Sequence, residues 1–489
     1  MSKLSQPTIT VLGQDPTNNR VCRINCYAFQ QDAILSFRGW QYAAFYSPVG
    51  DAVFIHLARR QLPNGPWETL VFDDYPQTVD DGHNTVQIGI CSGDGTIHLS
   101  YDHHCDVLHY RHSRPNLTTN PSSFTWTSSL FSPNLNHLPG IDPSHKPFHY
   151  VTYPRFCSPP PSSSDTGLLF TLRDGKAGLG NDHLYTYSPL THTFSYLGQH
   201  LTGVASNPYI HGLNLTPSQS HENRSRLHIT WVYRAFVHYP GWDDPLDTKH
   251  KTQAGPNGAE NNFDICYAYS DDSGLTWFNG SGKQIADLRA KETVDNTSEG
   301  IVAFEIPKGS GLTNQEAQAV DSRGGVHVLN RDNLPSDDDK PGYGKVRGDG
   351  DIKSDGNGKE KVTKWKHYHR NSSTATWRQT PLRPVHGNTR GRLAVWQKTG
   401  DLFIILPNSD TKGMHILRAT AKNEYQDYEE VWSGKGFMGE PLVDSAQLEE
   451  GGDNVLSLMV LADAGGEGKR DVVVLDFPLS PQAVQLGKV

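Results

Sequence analysis

Several segments of this chain begin like β-strands and end in side chains that move protons or bind anions. Ile97-His98-Leu99-Ser100-Tyr101 alternates and then runs into Asp102-His103-His104. Histidine is the side chain whose ordinary pKa lies nearest neutral pH, so this strand end brings titratable groups to one rim of a sheet. His83 and Asn84 open the strand before it. Tyr153 and Arg155 open another, which Arg173 closes on its partner. Tyr209, His211 and Arg234 stand at the ends of a further pair, as do Gln315, Asn330 and Arg331. Gln41, Tyr42 and Arg60 hold the same places in a first pair. Arginine forks match carboxylates bidentately. One strand-end histidine or arginine is most often a solvated or packing residue. Several on one rim suit proton abstraction beside a bound carboxylate. Glycoside hydrolysis needs a carboxylate pair, and Asp102 has no clear second acid beside it.

The elements that must hold these residues are short. The dominant period is two, with runs broken by Gly, Asp, Asn and Pro turns. Seven units of mostly four antiparallel strands can be traced, from Gln41–Tyr46 to a last unit between Pro441 and Phe477. This predicts an all-β, seven-bladed β-propeller spanning 1–489 as one domain, with a double sandwich as the alternative. In a propeller, the start of each blade's first strand and the end of its second share one mouth of the channel. The residues named above therefore converge. His98, His109, His228 and His327 fall mid-strand and are expected to be structural. Ser270-Asp271-Asp272-Ser273-Gly274-Leu275-Thr276-Trp277 fits the Asp-box of sialidase-like propellers, a hairpin device. A Gly/Asp/Lys-rich stretch at about 332–361 reads as a mobile insertion.

With 489 residues and a net charge of -9, nucleic acid and anionic membranes are poor partners. One basic pocket on an acidic protein still admits an anionic substrate. No apolar run approaches the ~20 residues that span a bilayer. Six cysteines include no CxxC pair, and a Cys105 thiol beside His104 reads as an inert buried group before a metal ligand. The start lacks a secretory signal, while N-x-S/T tripeptides such as those at Asn116, Asn214, Asn279 and Asn296 favour secretion; an intracellular protein is the alternative.

Asp81-Gly82-His83-Asn84-Thr85, Tyr101-Asp102-His103-His104, Leu108-His109-Tyr110, Val151-Thr152-Tyr153-Pro154-Arg155-Phe156 and Arg173-Asp174-Gly175 together resemble the BNR-repeat polysaccharide lyases. That family includes ulvan lyases and fungal L-rhamnose-α-1,4-D-glucuronate lyases. The resemblance implies a uronate site at the central mouth and β-elimination on an acidic polysaccharide. The family's histidines fall on His83 and on His104 or His103, with His104 expected first. Its tyrosine falls on Tyr153 and its carboxylate-neutralising arginine on Arg173. Asn84, Arg155, Tyr209, Arg234 and Arg331 are expected substrate contacts by position. The fungal activity, release of terminal rhamnose to leave 4,5-unsaturated glucuronate, is the expectation. An ulvan-type endo-lyase, a sialidase-like hydrolase and a non-catalytic uronate-binding propeller are the alternatives. The chemistry requires no cofactor. A structural Ca2+ in the channel is compatible, the ulvan-lyase Cys/His zinc set is not clearly matched, and a monomer is expected.

Overall fold

A computed structural model describes residues 3–27, 32–159, 167–176, 178–217, 225–244, 246–248, 251, 256–334, 353–354, 360–449, 451–466 and 468–479. Seven small antiparallel sheets stand in a ring as a seven-bladed β-propeller. A separate two-stranded ribbon pairs Lys353–Ser354 with Glu360–Lys361.

The alternation seen in the sequence separates two buried faces of each blade rather than a wet face from a dry one. In the last blade, Leu456, Leu458 and Val460 pack with Phe403 and Ile405 of the blade before it. Their neighbours Met459 and Leu461 pack with Ala43 and Phe45 of the first blade. Each such side chain contributes about 1.5–3 kcal/mol by leaving water.

Blade one runs Ile34–Phe37, Trp40–Val49, Ala52–Gln61 and Glu68–Gln77. The innermost strand is therefore Ile34–Phe37, and the run at Gln41–Tyr46, expected to be first, is second. This shifts blade one by one strand and reverses which mouth its ends face. Gln41 and Arg60 lie at the far mouth. Gln41 Nε2 donates to Asp444 at 2.7 Å, and Arg60 Nη2 pairs with Asp476 at 2.6 Å. Tyr42 is buried in the core. The cause is the weak alternation of Ile34-Leu35-Ser36-Phe37, which is too short to stand out against the long strands after it.

Blade two has three strands, Val86–Ile90, Ile97–Tyr101 and Tyr110–His112. His109, expected mid-strand, precedes the third. Blade three runs Val151–Cys157, Leu168–Asp174, Asn181–Ser188 and Thr193–Leu201, with the short strand His104–Asp106 added beside its innermost member. Blade four begins with Ser206–Pro217 and Ser225–Ala235 and carries the Asp-box after Asn262–Ser270. There Asp272 accepts from Thr276 N at 2.7 Å, and Trp277 is buried below. That motif is structural, as expected. Blade five runs Ala317–Val320, Val326–Asp332, Lys364–Arg370 and Trp377–Pro384. The insertion expected at about 332–361 lies largely outside the described residues. Asp332 does not belong to it: it ends a strand and its carboxylate accepts from Lys366 at 2.6 Å. Blade six runs from Arg392–Trp396 to Glu429–Lys435. Blade seven takes Phe437–Val443, Val455–Asp463 and Arg470–Pro478, and its outer strand is the N-terminal Thr8–Gln14. No helix among the described residues is long and apolar enough to cross a membrane.

Candidate active site

The strand Ile97–Tyr101 stops because Asp102 turns left-handed, with φ +67°. Its carboxylate is held by Tyr75 at 2.7 Å, Gln77 at 3.1 Å and Asn84 at 2.6 Å. The chain then leaves blade two and joins blade three at His104, which pairs with Thr152. This crossing gives the two adjacent histidines opposite fates. His103 is buried in blade two, where its Nε2 accepts the His109 N–H at 2.8 Å. His104 turns toward the channel mouth.

There it meets Asp81 and His83. The Asp81-Gly82-His83 turn is tied by the His83 N–H to Asp81 Oδ1 at 2.9 Å. Each Asp81 oxygen then takes one imidazole: Oδ1 faces His83 Nδ1 and Oδ2 faces His104 Nδ1, both at 2.6 Å. The rings stack with centroids 3.8 Å apart and 19° between planes. One carboxylate thus orients two histidines and turns both Nε2 edges away from itself. The His83 side chain is 34% exposed and His104 only 5%, so His83 fronts the mouth and His104 stands behind it. Burial, then the neighbouring His83, pushes His104 down to about 4. Burial opposes the Asp81 carboxylate, but the hydrogen bonds from His104 and His83 prevail and hold it well below the usual range.

Tyr153 lies beside His83 with ring centroids 6.0 Å apart. Its φ of +57° and the irregular pairing between Thr152 and Arg155 push it out of the ladder into the channel. Tyr209 meets it at 6.0 Å, edge to face. Arg173 lies over Tyr153 at 4.7 Å and over Tyr209 at 5.6 Å, and Arg234 covers Tyr209 at 4.6 Å. Burial raises the Tyr153 phenol. Burial also acts on Tyr209, but Arg234 and then Arg173 outweigh it and draw that phenol below its ordinary value.

The arginines divide into two kinds. Arg331 is neutralised: its Nη2 lies 3.1 Å from both oxygens of Glu316 and 2.8 Å from Thr389 O, and its guanidinium covers Trp365. Its expected role as a substrate contact gives way to a buried ion pair. Arg173 is 1% exposed, yet its Nε and Nη1 have no hydrogen-bond partner within 3.5 Å, and its Nη2 lies 4.0 Å from Cys105 Sγ. Arg234 bonds to neutral oxygens of Asn262, Asn257 and Asn314 at 2.8, 3.3 and 3.0 Å. Among the described residues no carboxylate lies at ion-pair distance from either. Asp182, opposite Arg173 across the strands, is raised to about 8 by burial, which weakens it as a counter-ion for that cation. One buried and one half-buried guanidinium group without a carboxylate partner favour an incoming anion.

Of the other expected contacts, Asn84 uses its amide on Asp102. Arg155 is buried, 3.4 Å from His211 O and 4.0 Å from Asp32. A cavity of about 10 Å³ lies under Tyr153 between Arg155, Asp182 and Gln315. It has room for one water and not for a sugar. A larger cleft of about 200 Å³ opens at the far mouth between blades four and five, lined by Arg226, Tyr269 and Arg370. Arg226 already pairs there with Asp271 at 2.7 Å, and no histidine–carboxylate pair faces it. The Asp81–His83–His104 group lies at the other mouth. The sequence alone does not single out Asp81, Asp182 or Arg390, the last of which shares Asn314 with Arg234 and pairs with Glu440 at 3.4 Å. The Asp-Gly-His turn was the one available signal, for Asp81. Asp81, His83 and His104 also have the spacing of metal ligands, as do Asp321, His327 and His369 in blade five.

Three comparisons place the chain among known proteins. A family model described as "BNR repeat-containing family member" matches residues 40–384. No curated protein matches the sequence. Among solved structures, polysaccharide lyase Uly1 superposes with a TM-score of 0.65 at 17% identity, covering 98% of this chain and all of that one. A PL25 ulvan lyase superposes at 0.57 and 12% identity, covering 96% and 94%. Its form bound to -[GlcA(1-4)Rha3S]- gives 0.56 at the same identity and coverage. At such identities the likeness speaks for the fold.

Proposed function

We propose that this chain, which belongs to the BNR repeat-containing family, is a polysaccharide lyase that cleaves the bond to C4 of a uronic acid by β-elimination. The observation that carries the reading is the pair of buried Arg173 and half-buried Arg234, which have no carboxylate partner among the described residues and lie beside the Asp81-held histidines.

A uronate carboxylate set on Arg173 supplies the missing anion. The C5 hydrogen is weakly acidic, and the arginine stabilises the enolate-like charge that grows on the carboxylate as this proton leaves. His83 takes the C5 proton at Nε2, while Asp81 on Nδ1 stabilises the imidazolium. Tyr153, whose phenol burial keeps protonated, gives its proton to the O4 leaving group. The C5–H and C4–O4 bonds break, a C4=C5 double bond forms, and the departing sugar carries the phenol's proton. The net proton transfer from His83 back to Tyr153 resets the site. The scheme calls on no metal or organic cofactor. The channel carboxylates Glu316, Glu440 and Asp32 each face arginine, which does not match the oxygen cage that calcium takes.

For the substrate we favour rhamnosyl-α-1,4-glucuronate caps on arabinogalactan of the gum arabic type, with terminal rhamnose released. The ulvan lyase ligand, a glucuronate joined to sulfated rhamnose, makes an endo-acting ulvan-type lyase the second reading. Incubation with each glycan separates them. Free rhamnose together with the ultraviolet absorbance of an unsaturated uronate supports the first, and unsaturated oligosaccharides from ulvan alone support the second. Rhamnose without that absorbance would indicate a hydrolase. Binding of both glycans with no product would leave a non-catalytic propeller.

A further inference from the structure

We propose that Asp321, His327 and His369 form a site for one divalent first-row transition cation of the zinc class, at the mouth of blade five opposite the histidine–tyrosine site. The proposal is independent of the lyase reading.

The three residues come from adjoining pieces of one blade. Asp321 stands in the hairpin between its first two strands, and His327 and His369 are direct cross-strand partners on the second and third. All three are buried, at 4%, 0% and 7% exposure. One ligating atom of each lies within 4.8 Å of the other two. His327 Nε2 and Asp321 Oδ2 are 3.4 Å apart. That is long for a hydrogen bond of this kind. It equals the edge, about 3.3 Å, of a tetrahedron built on the 2.0–2.1 Å bonds zinc makes to nitrogen and oxygen.

The surroundings fix the ligands as a metal site requires. Asp321 Oδ1 accepts the N–H groups of Arg323 and Gly325 at 2.9 and 2.8 Å, which sets the carboxylate plane. A Cβ on Gly325 would come within 2.6 Å of Oδ2, so glycine lets the turn close around the acid. The Tyr425 hydroxyl lies 3.0 Å from Oδ2 and 2.9 Å from Gly400 O, and its single proton serves one of them at a time. Behind His327, Nδ1 faces His367 Nε2 at 2.9 Å, and His367 Nδ1 faces the Tyr428 hydroxyl at 2.7 Å. Two sets of neutral tautomers satisfy this chain, and the one that suits a metal has His327 donate from Nδ1 to His367, which donates from Nδ1 to Tyr428. It leaves the His327 Nε2 lone pair directed at the cluster, and outer partners of this kind orient metal-bound imidazoles. Two imidazoles and one carboxylate select a zinc-class ion over calcium or magnesium and leave a fourth position to water.

Chelator-stripped full-length protein titrated with Co2+ should take up one ion in this cluster, with the visible absorption of a tetrahedral site, and Zn2+ should displace it. His83→Ala, which breaks the other candidate cluster, should keep this signal. His369→Ala and Asp321→Asn should weaken binding by more than about 100-fold, beyond the 10–100-fold typical of outer partners, and circular dichroism and Tm report that each variant folds. The proposal is overturned if stripped wild-type protein binds no ion. It is equally overturned if folded His369→Ala and Asp321→Asn both retain the signal while His83→Ala loses it.

Discussion

Asp81→Asn is the sharpest test of the proposed site, because one carboxylate there orients two rings. The aspartate accepts a 2.6 Å bond from each imidazole Nδ1. An asparagine accepts from one ring with its carbonyl and must donate to the other, which reverses that ring's tautomer and takes its Nε2 lone pair away. It also removes the charge that stabilises the imidazolium formed when His83 takes the C5 proton. Unit charges about 4 Å apart at an effective dielectric of about 20 interact by about 4 kcal/mol. The Asp81 side chain is 19% exposed, and halving that energy for solvent leaves about 2 kcal/mol, or roughly 30-fold. The tautomer effect adds to this. A carboxylate-to-amide change behind a catalytic histidine costs about 10⁴ in kcat where a Ser-His-Asp triad is altered with its geometry intact. The expected loss here is about 10²–10⁴-fold in kcat, with KM changed only a few-fold, since Asp81 orients the histidines rather than holding the sugar. Initial rates of unsaturated-uronate formation give both constants, and the Tm shows that the fold survives. A kcat within fivefold of the parent, in a folded variant, would refute the dyad reasoning.

The remaining expectations follow from the same geometry. Arg173→Lys should lower kcat/KM by about 10² or more, since a point charge does not reproduce the fork, whereas Arg331→Lys should lower Tm with little effect on KM; equal kinetic losses would undo the distinction between the two arginines. His104→Ala should cost at least about 10² in kcat, while His103→Ala should leave kcat near normal and cost about 1–3 kcal/mol in denaturant stability by orphaning the His109 N–H; the reverse pattern would mean that the crossing from blade two to blade three exposes the other ring. Burial pushes His98, His200, His211 and His228 down to about 3 and His104 to about 4. Between pH 6.5 and those values the unfolded chain binds protons that the folded one does not, so stability is full above about 6.5 and declines as pH falls. The slope has an upper limit of about 1.4 kcal/mol per pH unit for each group. A urea midpoint unchanged between pH 7 and pH 5 would contradict this.

The blade count and the mouth were legible in the sequence because strand starts and ends punctuate a propeller in a fixed order. That rule brought His83, Tyr153, Arg173, Tyr209 and Arg234 together correctly, since blades two to four show clear first strands. It failed in blade one, where the innermost Ile34–Phe37 is four residues long and a stronger run follows. It also missed the outer strand of blade seven, because nothing local in Thr8–Gln14 says that its partner is at the other end of the chain. Within the site, the sequence distinguishes charge type but not pairing. Arg173 and Arg331 read alike as strand-end arginines, and only packing brings Glu316 to one of them. The upward shift of Asp182 is invisible in the sequence for the same reason: it is set by burial, which depends on neighbours from other segments.

The pairing of Thr8–Gln14 with Arg470–Pro478 also fixes when the protein can finish folding. Of the strands described, Thr8–Gln14 is synthesised before all the others and its partner Arg470–Pro478 after them. Until Leu442, Met459, Leu461, Val472 and Val474 are all made, the blade-seven wall of the seam with blade one is incomplete. The six earlier blades can stack as an open arc, but the ring closes only after the distant segment arrives, a contact of very high sequence separation and therefore slow. During that interval the arc presents two unpartnered apolar faces, at Ala43 and Phe45 on one end and at Phe403 and Ile405 on the other. Those two ends are where an unfinished copy would stick to another.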